Sequence, residues 1–205
     1  MSVRTKKRLG ILISGRGSNF LAIADAIAGH RLDAEIAVVI SNHPEAPGLS
    51  AAYQLNLTAV ALPSKGLDRE TYDRQLIQEL QKNRVDLVCL AGYMRILSGH
   101  FIREYSQRIV NIHPSLLPAF PGLDAQHQAL EHGAKFSGCT VHFVEEGLDS
   151  GPIIAQAVVP VLAADTAESL SARILKEEHR IYPEALGLVL SGKYRVEGRR
   201  VVPHD

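Results

Sequence analysis

Five apolar runs punctuate the first half of the chain, "RLGILIS", "AEIAVVIS", "LTAVALP", "VDLVCLAG" and "QRIVNI", and most lack the apolar–polar alternation of a half-exposed strand. A strand can be apolar on both faces only where both faces are covered, as in a parallel sheet flanked by helices. The stretches between them support that reading. Ser18 is placed to cap "NFLAIADAIAG", where Phe20, Ile23, Ala24, Ile27 and Ala28 share a face, and Asp68 to cap "RETYDRQLIQELQKNR", with acid in its first turn. Alternating strands and helices of this kind form successive βαβ units.

After Gly133 the rhythm changes. "GCTVHFVEE" and "PIIAQAVVPV", joined by the turn-rich "GLDSG", read as an antiparallel pair. A long amphipathic helix over "AESLSARILKEEHRIY" follows. Pro183 is expected to kink it or to separate it from a shorter helix, "EALGLVLSG", and "KYRVEGRRVV" reads as a hairpin around Glu197 and Gly198. No repeat, low-complexity tract or linker interrupts the chain. The expected fold is therefore α/β: a Rossmann-like, mostly parallel central sheet with helices on both faces and antiparallel strands in the C-terminal half, built as one domain over 1–205.

The 205 residues are 46% apolar, enough for a sizeable core, and 22 Lys and Arg balance 22 Asp and Glu. Zero net charge supplies no long-range attraction for nucleic acid or an anionic membrane, so neither is expected as a partner. The apolar part of "MSVRTKKRLGILISG" is too short for a signal peptide and no run reaches a membrane span, which points to a soluble, cytoplasmic protein. Cys89 and Cys139 lie inside strand-like runs without zinc-site spacing, and read as small buried hydrophobes, with a free nucleophile or a mutual disulfide as the alternatives. The nine histidines show no metal-binding spacing either, and no metal is expected.

Four stretches could carry chemistry. In "ILISGRGSN" a strand runs through Gly15 and Gly17 into a helix, where backbone N–H groups and the helix N-terminus suit a phosphate. The second strand ends in Ser41 and Asn42 rather than an acid, and no P-loop lysine follows, so neither a nicotinamide cofactor nor a nucleoside triphosphate is expected. "LAGYMRILS" lies at the carboxyl end of the fourth strand, where an apolar wall with exposed backbone suits a flat heteroaromatic ligand. In "NIHPSLLPAFPGLD", Asn111 and His113 leave a strand two residues apart and on one side, a donor pair for an oxyanion, with Pro114, Pro118 and Pro121 stiffening the exit. In "EEGLDSGPI", Asp149 occupies a tight turn; folded over His113, its carboxylate would favour the cationic imidazole. Each has a plainer alternative: a glycine turn, an inward-packed loop, a structural histidine, and a turn aspartate bonding its own backbone. His142 in "TVHFV" reads as a satisfied strand histidine, and the absence of a G-x-S-x-G elbow removes support for a hydrolase triad.

Taken in order, "ISGRGSN", "AGYMRILS", "NIHPSLLPAFPG", "TVHFV", "LDSGPI" and "EEHRIYP" resemble the phosphoribosylglycinamide formyltransferase family over about residues 8 to 195. The resemblance implies the formyltransferase fold. It also implies transfer of a formyl group from 10-formyltetrahydrofolate, as co-substrate, to the amine of 5-phosphoribosylglycinamide in de novo purine biosynthesis. It assigns catalysis to Asn111, His113 and Asp149, and the substrate to Gly15, Gly17, Ser18, Asn19, Phe20 and Glu178. It assigns folate to Arg69, Met94, Arg95, Ile96 and Leu97, with Asn111, Glu145 and Asp149. Residues 1–110 would then form a phosphate-binding half and 111–205 a catalytic and folate-binding half, in a monomer or homodimer.

Many of these relatives have a His-Thr-His type segment after "PGL" where this chain has Asp124-Ala125-Gln126-His127; Asp124 is expected to cap the following helix instead. Alternatives with the same Asn-x-His…Asp chemistry are a 10-formyltetrahydrofolate deformylase, which usually carries an extra N-terminal domain, and a methionyl-tRNA formyltransferase, which usually has "RWRG" where "AFPG" stands here. An alternative of another class is a non-catalytic module that binds phosphoribosyl ligands.

Overall fold

The computed structural model describes residues 6–204. The chain forms two compact units that meet in sequence at Val110 and Asn111.

The first unit contains β1 (Lys7–Ile13), α1 (Ser18–Ala28), β2 (Ala34–Ser41), α2 (Pro47–Gln54), β3 (Ala59–Ala61), α3 (Arg69–Lys82), β4 (Leu87–Leu90) and α4 (Gly99–Glu104), and β5 (Ile109–His113) leads out of it. The β1 strand pairs in parallel with both β2 and β4, and β2 with β3. The apolar runs are the reason: Leu9, Ile11, Leu12 and Ile13 of β1 are fully buried, as are Val38 and Val39 of β2. A one-residue slip in such a strand would not expose it, so register comes from the ladder and the helices packed beside it.

The second unit contains α5 (Ala125–Glu131), β6 (Phe136–Phe143), β7 (Ile153–Pro160), α6 (Ala167–Ser191), β8 (Tyr194–Glu197) and β9 (Arg200–Pro203). Here β6 and β7 pair antiparallel, as do β8 and β9, with β9 touching β7 in parallel at Ile153 and Arg200. The chain thus has the expected α/β character, with parallel strands first and antiparallel strands in the C-terminal half.

Local details depart from the sequence reading. Asp68 caps α3, its Oδ1 accepting the Thr71 N–H at 2.9 Å. The cap of α1, by contrast, is Gly17 at φ 73°, with no side-chain cap bond, and Ser18 is the first helical residue. The left-handed φ at this junction is the reason, because glycine alone adopts it without a Cβ penalty. Pro183 does not divide the last helix: α6 runs through it for 25 residues. Losing one N–H bond and straining the carbonyl four residues back costs about 3 kcal/mol, which the buried face of Leu170, Ile174, Ile181, Tyr182, Ala185, Leu186 and Val189 offsets.

Helix α6 starts with a capping box in which the Thr166 hydroxyl accepts the Ser169 N–H at 3.3 Å and Ser169 Oγ accepts the Thr166 N–H at 3.0 Å. Thr166→Ala is expected to cost about 1 kcal/mol. A thermal melt should register this as a drop of about 2–4 °C.

Candidate active site

Strand β5 delivers Asn111 and His113 in alternation with Ile112, so the two side chains share a side of the strand. His113 is buried and Asn111 is half-buried. The carboxylate of Asp149 reaches the histidine, with Oδ2 lying 3.4 Å from His113 Nδ1. On the other edge of the ring, His113 Nε2 lies 2.9 Å from the carbonyl oxygen of Phe120. That oxygen can only accept, so Nε2 carries the proton and donates. Both ring nitrogens therefore face acceptors, and a doubly protonated ring satisfies both contacts.

Asp149 is held in place by its turn. The residue has φ 47°, a left-handed conformation that Asp tolerates better than most side chains, and its Oδ2 accepts the Gly122 N–H at 2.8 Å. Gly151 then lets the turn close on β6. A Cβ there would sit 1.9 Å from the carbonyl oxygen of Phe143. The "GLDSG" sequence is in this way the local cause of the carboxylate's position.

The structure adds a fourth group, His142, which the sequence reads as a satisfied strand histidine. It is a buried β6 residue, as expected, but its Nε2 lies 3.2 Å from Asn111 Nδ2 and 3.7 Å from Asp149 Oδ1. Its Nδ1 lies 2.8 Å from the Phe143 carbonyl oxygen and so carries the proton. Nε2 is left as an acceptor for Asn111, which fixes the amide with one N–H toward the histidine and the second free to point elsewhere. Burial pushes the His142 imidazole below its ordinary pKa, opposed by the Phe143 carbonyl and by Asp149, and assisted by His113 and Arg199. The only sequence signal was its place in a strand opposite the Asp149 turn, and pairing register cannot be read from one strand alone.

The sign of the resulting pH effect follows. With a depressed folded-state pKa, the unfolded chain takes up the proton first as pH falls below about 6.5. The His142 contribution to stability is thus complete above that value and is lost as pH drops through the folded pKa. Melting temperature should fall between pH 7 and pH 5, and His142→Gln should remove that part of the slope in melts recorded across the same range.

Phe120 borders the site from the segment after β5, in which Asp124 also lies. Both have left-handed φ, 53° and 55°. Asp124 stands at the N-cap position of α5, but its side chain makes no cap bond, contrary to the sequence expectation. Gln128 instead ties the segment down, its Nε2 donating to the Leu123 carbonyl at 2.8 Å, while the Phe120 ring packs against His132 with centroids 5.4 Å apart. Glu145 is exposed on the loop before Asp149. Glu178 is buried in α6. Burial first, and then the nearby charge of Glu178, push the Cys139 thiol of β6 up to about 12. Cys89 and Cys139 are free and buried.

In the first unit, Gly15 and Gly17 lie in the turn into α1, and Ser18, Asn19 and Phe20 are the first residues of the helix. The Phe20 ring is fully buried, so this residue offers a ligand only its backbone. The first-turn N–H groups of a helix without a side-chain cap point out of its start. Arg69 opens α3 and is exposed. Met94 and Ile96 are 67% and 62% exposed, Leu97 is buried, and the Arg95 guanidinium lies 4.6 Å over the ring of Tyr72. Among the described residues, no group of three or more His, Cys, Asp or Glu could hold a metal ion, and no helix is long and apolar enough to cross a membrane.

Comparison with known proteins gives a consistent picture. The formyl transferase family profile matches residues 7–186. The phosphoribosylglycinamide formyltransferase of Escherichia coli (strain K12) is 43% identical over 201 residues, 94% of this chain and 95% of that protein. The trifunctional purine biosynthetic protein adenosine-3 of Drosophila melanogaster is 49% identical over 94% of this chain, but the match spans only 14% of that much longer protein. The crystal structure of glycinamide ribonucleotide transformylase 1 from Symbiobacterium toebii superposes with a TM-score of 0.95 at 53% identity, covering 98% of this chain and 95% of that one.

Proposed function

We propose, from the premise that the chain belongs to the formyl transferase family, that it moves the formyl group of 10-formyltetrahydrofolate to the amine of 5-phosphoribosylglycinamide. The products are 5-phosphoribosyl-N-formylglycinamide and tetrahydrofolate, a step of purine biosynthesis. The observation that carries the reading is the convergence of Asn111 and His113 from one strand with Asp149 on the histidine at 3.4 Å.

The chemistry asks for little else. A neutral amine is already a nucleophile, so no activated serine or cysteine is required. Its attack on the formyl carbon forms the new C–N bond and leaves a tetrahedral alkoxide. The free N–H of Asn111 and a proton of His113 would stabilise that oxygen, and Asp149 would balance the charge of the imidazolium. Cleavage of the bond to the folate nitrogen completes the transfer. The proton lost by the amine is the one gained by that nitrogen, with Asp149 and His113 as its carriers. Because His113 Nε2 donates to Phe120, that bond must be exchanged for one to the substrate when the ring acts as a donor.

We assign the phosphate to the turn and helix start of Gly15, Gly17, Ser18, Asn19 and Phe20, and the substrate's ribosyl-glycinamide part to Glu178. We assign the folate to Arg69, Met94, Arg95, Ile96 and Leu97, with Asn111, Glu145 and Asp149. The units 1–110 and 111–205 are proposed to divide the work into phosphate binding and catalysis within one functional domain, acting in the cytoplasm as a monomer or homodimer.

Incubating the purified protein with both substrates and following tetrahydrofolate by absorbance tests the proposal. Product that forms only when the amine is present is expected. No product from folded protein would reject the activity, and formate released without the amine would identify a deformylase.

A further inference from the structure

We infer that Ser14 is a positioning residue shared by the two ligand loops of the first unit, one hydroxyl that fixes the proposed phosphate turn and the proposed folate loop in a single register. What the loops bind rests on the proposed function; the linkage itself rests on contacts around Ser14. Ser14 directly follows β1, Asn42 directly follows β2, and Gly92 lies just beyond β4. These are carboxyl ends of parallel strands, the edge at which α/β sheets place ligands.

Ser14 ties its own strand end to the other two. Its N–H donates to the Gly92 carbonyl at 3.0 Å, its Oγ donates to Asn42 Oδ1 at 2.7 Å, and the same Oγ accepts the Met94 N–H at 2.8 Å. A hydroxyl has one proton to give and lone pairs to receive, so one atom fills both roles. The next residue, Gly15, begins the phosphate turn, and its carbonyl accepts the Gly48 N–H at the start of α2 at 3.1 Å.

The far end of the folate loop has its own anchor. Buried Asp73 accepts the Ser98 N–H through Oδ2 at 2.6 Å, and Arg95 stacks on Tyr72. Between these anchors Met94 and Ile96 are displayed outward. Ser14 is thus the tether that relates this apolar crest to the phosphate turn. The ladder does not need the hydroxyl: β1 and β4 are already paired from Leu9 to Leu12, and the Ala91 N–H bonds the Leu12 carbonyl at 2.9 Å. A purely structural role would therefore leave ligand affinities unmoved.

The test combines steady-state kinetics of the full chain with calorimetric titration by ribose 5-phosphate and, separately, by tetrahydrofolate, for Ser14→Ala, Ser14→Thr and Ser14→Cys. In Ser14→Ala the KM values for both substrates should rise about tenfold, as expected for losing a bridging hydrogen-bond group, while kcat falls by less than about threefold. Ser14→Thr keeps the hydroxyl and should restore both; Ser14→Cys, of similar shape but weaker hydrogen bonding, should lie between. A rise in one KM alone, a fall in kcat with both KM values unchanged, or no change overturns the inference while leaving the proposed activity standing. Wild-type protein that binds neither ribose 5-phosphate nor tetrahydrofolate overturns the loop assignments and the inference with them.

Discussion

His113→Ala is expected to lower kcat by about two to three decades, equivalent to about 3–4 kcal/mol of barrier, with the fold intact. The loss belongs to kcat because the alkoxide exists only after attack, so the ring stabilises the transition state more than bound substrate. Two features of the site sharpen the expectation. Asp149 Oδ2 would lose its contact with His113 Nδ1, and the Phe120 carbonyl would lose its donor. His113→Asn tests the donor role separately, since a carboxamide can donate without carrying charge. An intermediate rate there would apportion the effect between hydrogen bonding and charge. Steady-state kinetics alongside circular dichroism would separate a chemical defect from an unfolded one.

Gly151→Ala is expected to be the most damaging single methyl group in the second unit's site. Its Cβ would lie 1.9 Å from the Phe143 oxygen and 2.9 Å from the Phe143 carbonyl carbon. These are backbone atoms of β6, which cannot rotate away as a side chain could. Overpacking of this kind costs about 3 kcal/mol. At about 2–4 °C for each kcal/mol in a chain of this size, the melting temperature should drop by about 6–12 °C. The same shift would carry Asp149, two residues away, off His113. Activity should therefore fall further than stability accounts for, and assays well below the melting temperature would show it.

Much of the architecture was legible because a parallel sheet leaves a strong trace: runs such as "GILI" and "VDLVCL" make sense only when buried on both faces. The cap at Asp68 was equally readable, since it depends on one residue and its near neighbours. Failures came where tertiary structure decides. Ser18 has the chemistry of a cap, but the left-handed turn moved that place to Gly17. Pro183 should break a helix in isolation, yet the buried face of α6 holds it together. The short helices α2 and α4 carry too few apolar positions to stand out in the pattern.

The catalytic candidates show the same division. Asn111 and His113 were a readable pair because strand alternation fixes their common side. Their meeting with Asp149 depends on how a distant turn folds back, which no local pattern in the sequence determines. His142 is a satisfied strand histidine as expected, but its reach to Asn111 was not legible for a related reason. A histidine in the middle of an apolar strand is usually satisfied by local bonds, and its Nδ1 is bonded in that way. Only the second nitrogen, aimed at Asn111, reveals its part in orienting the amide.

Carbon-13 NMR of a donor labelled at the formyl carbon tests direct transfer at this site. With both substrates present, the label should pass from donor to the N-formyl product at the rate at which donor disappears, and in His113→Ala that rate should be lower by about two to three decades. Label accumulating as formate, or a His113→Ala rate equal to that of the wild type, would contradict it.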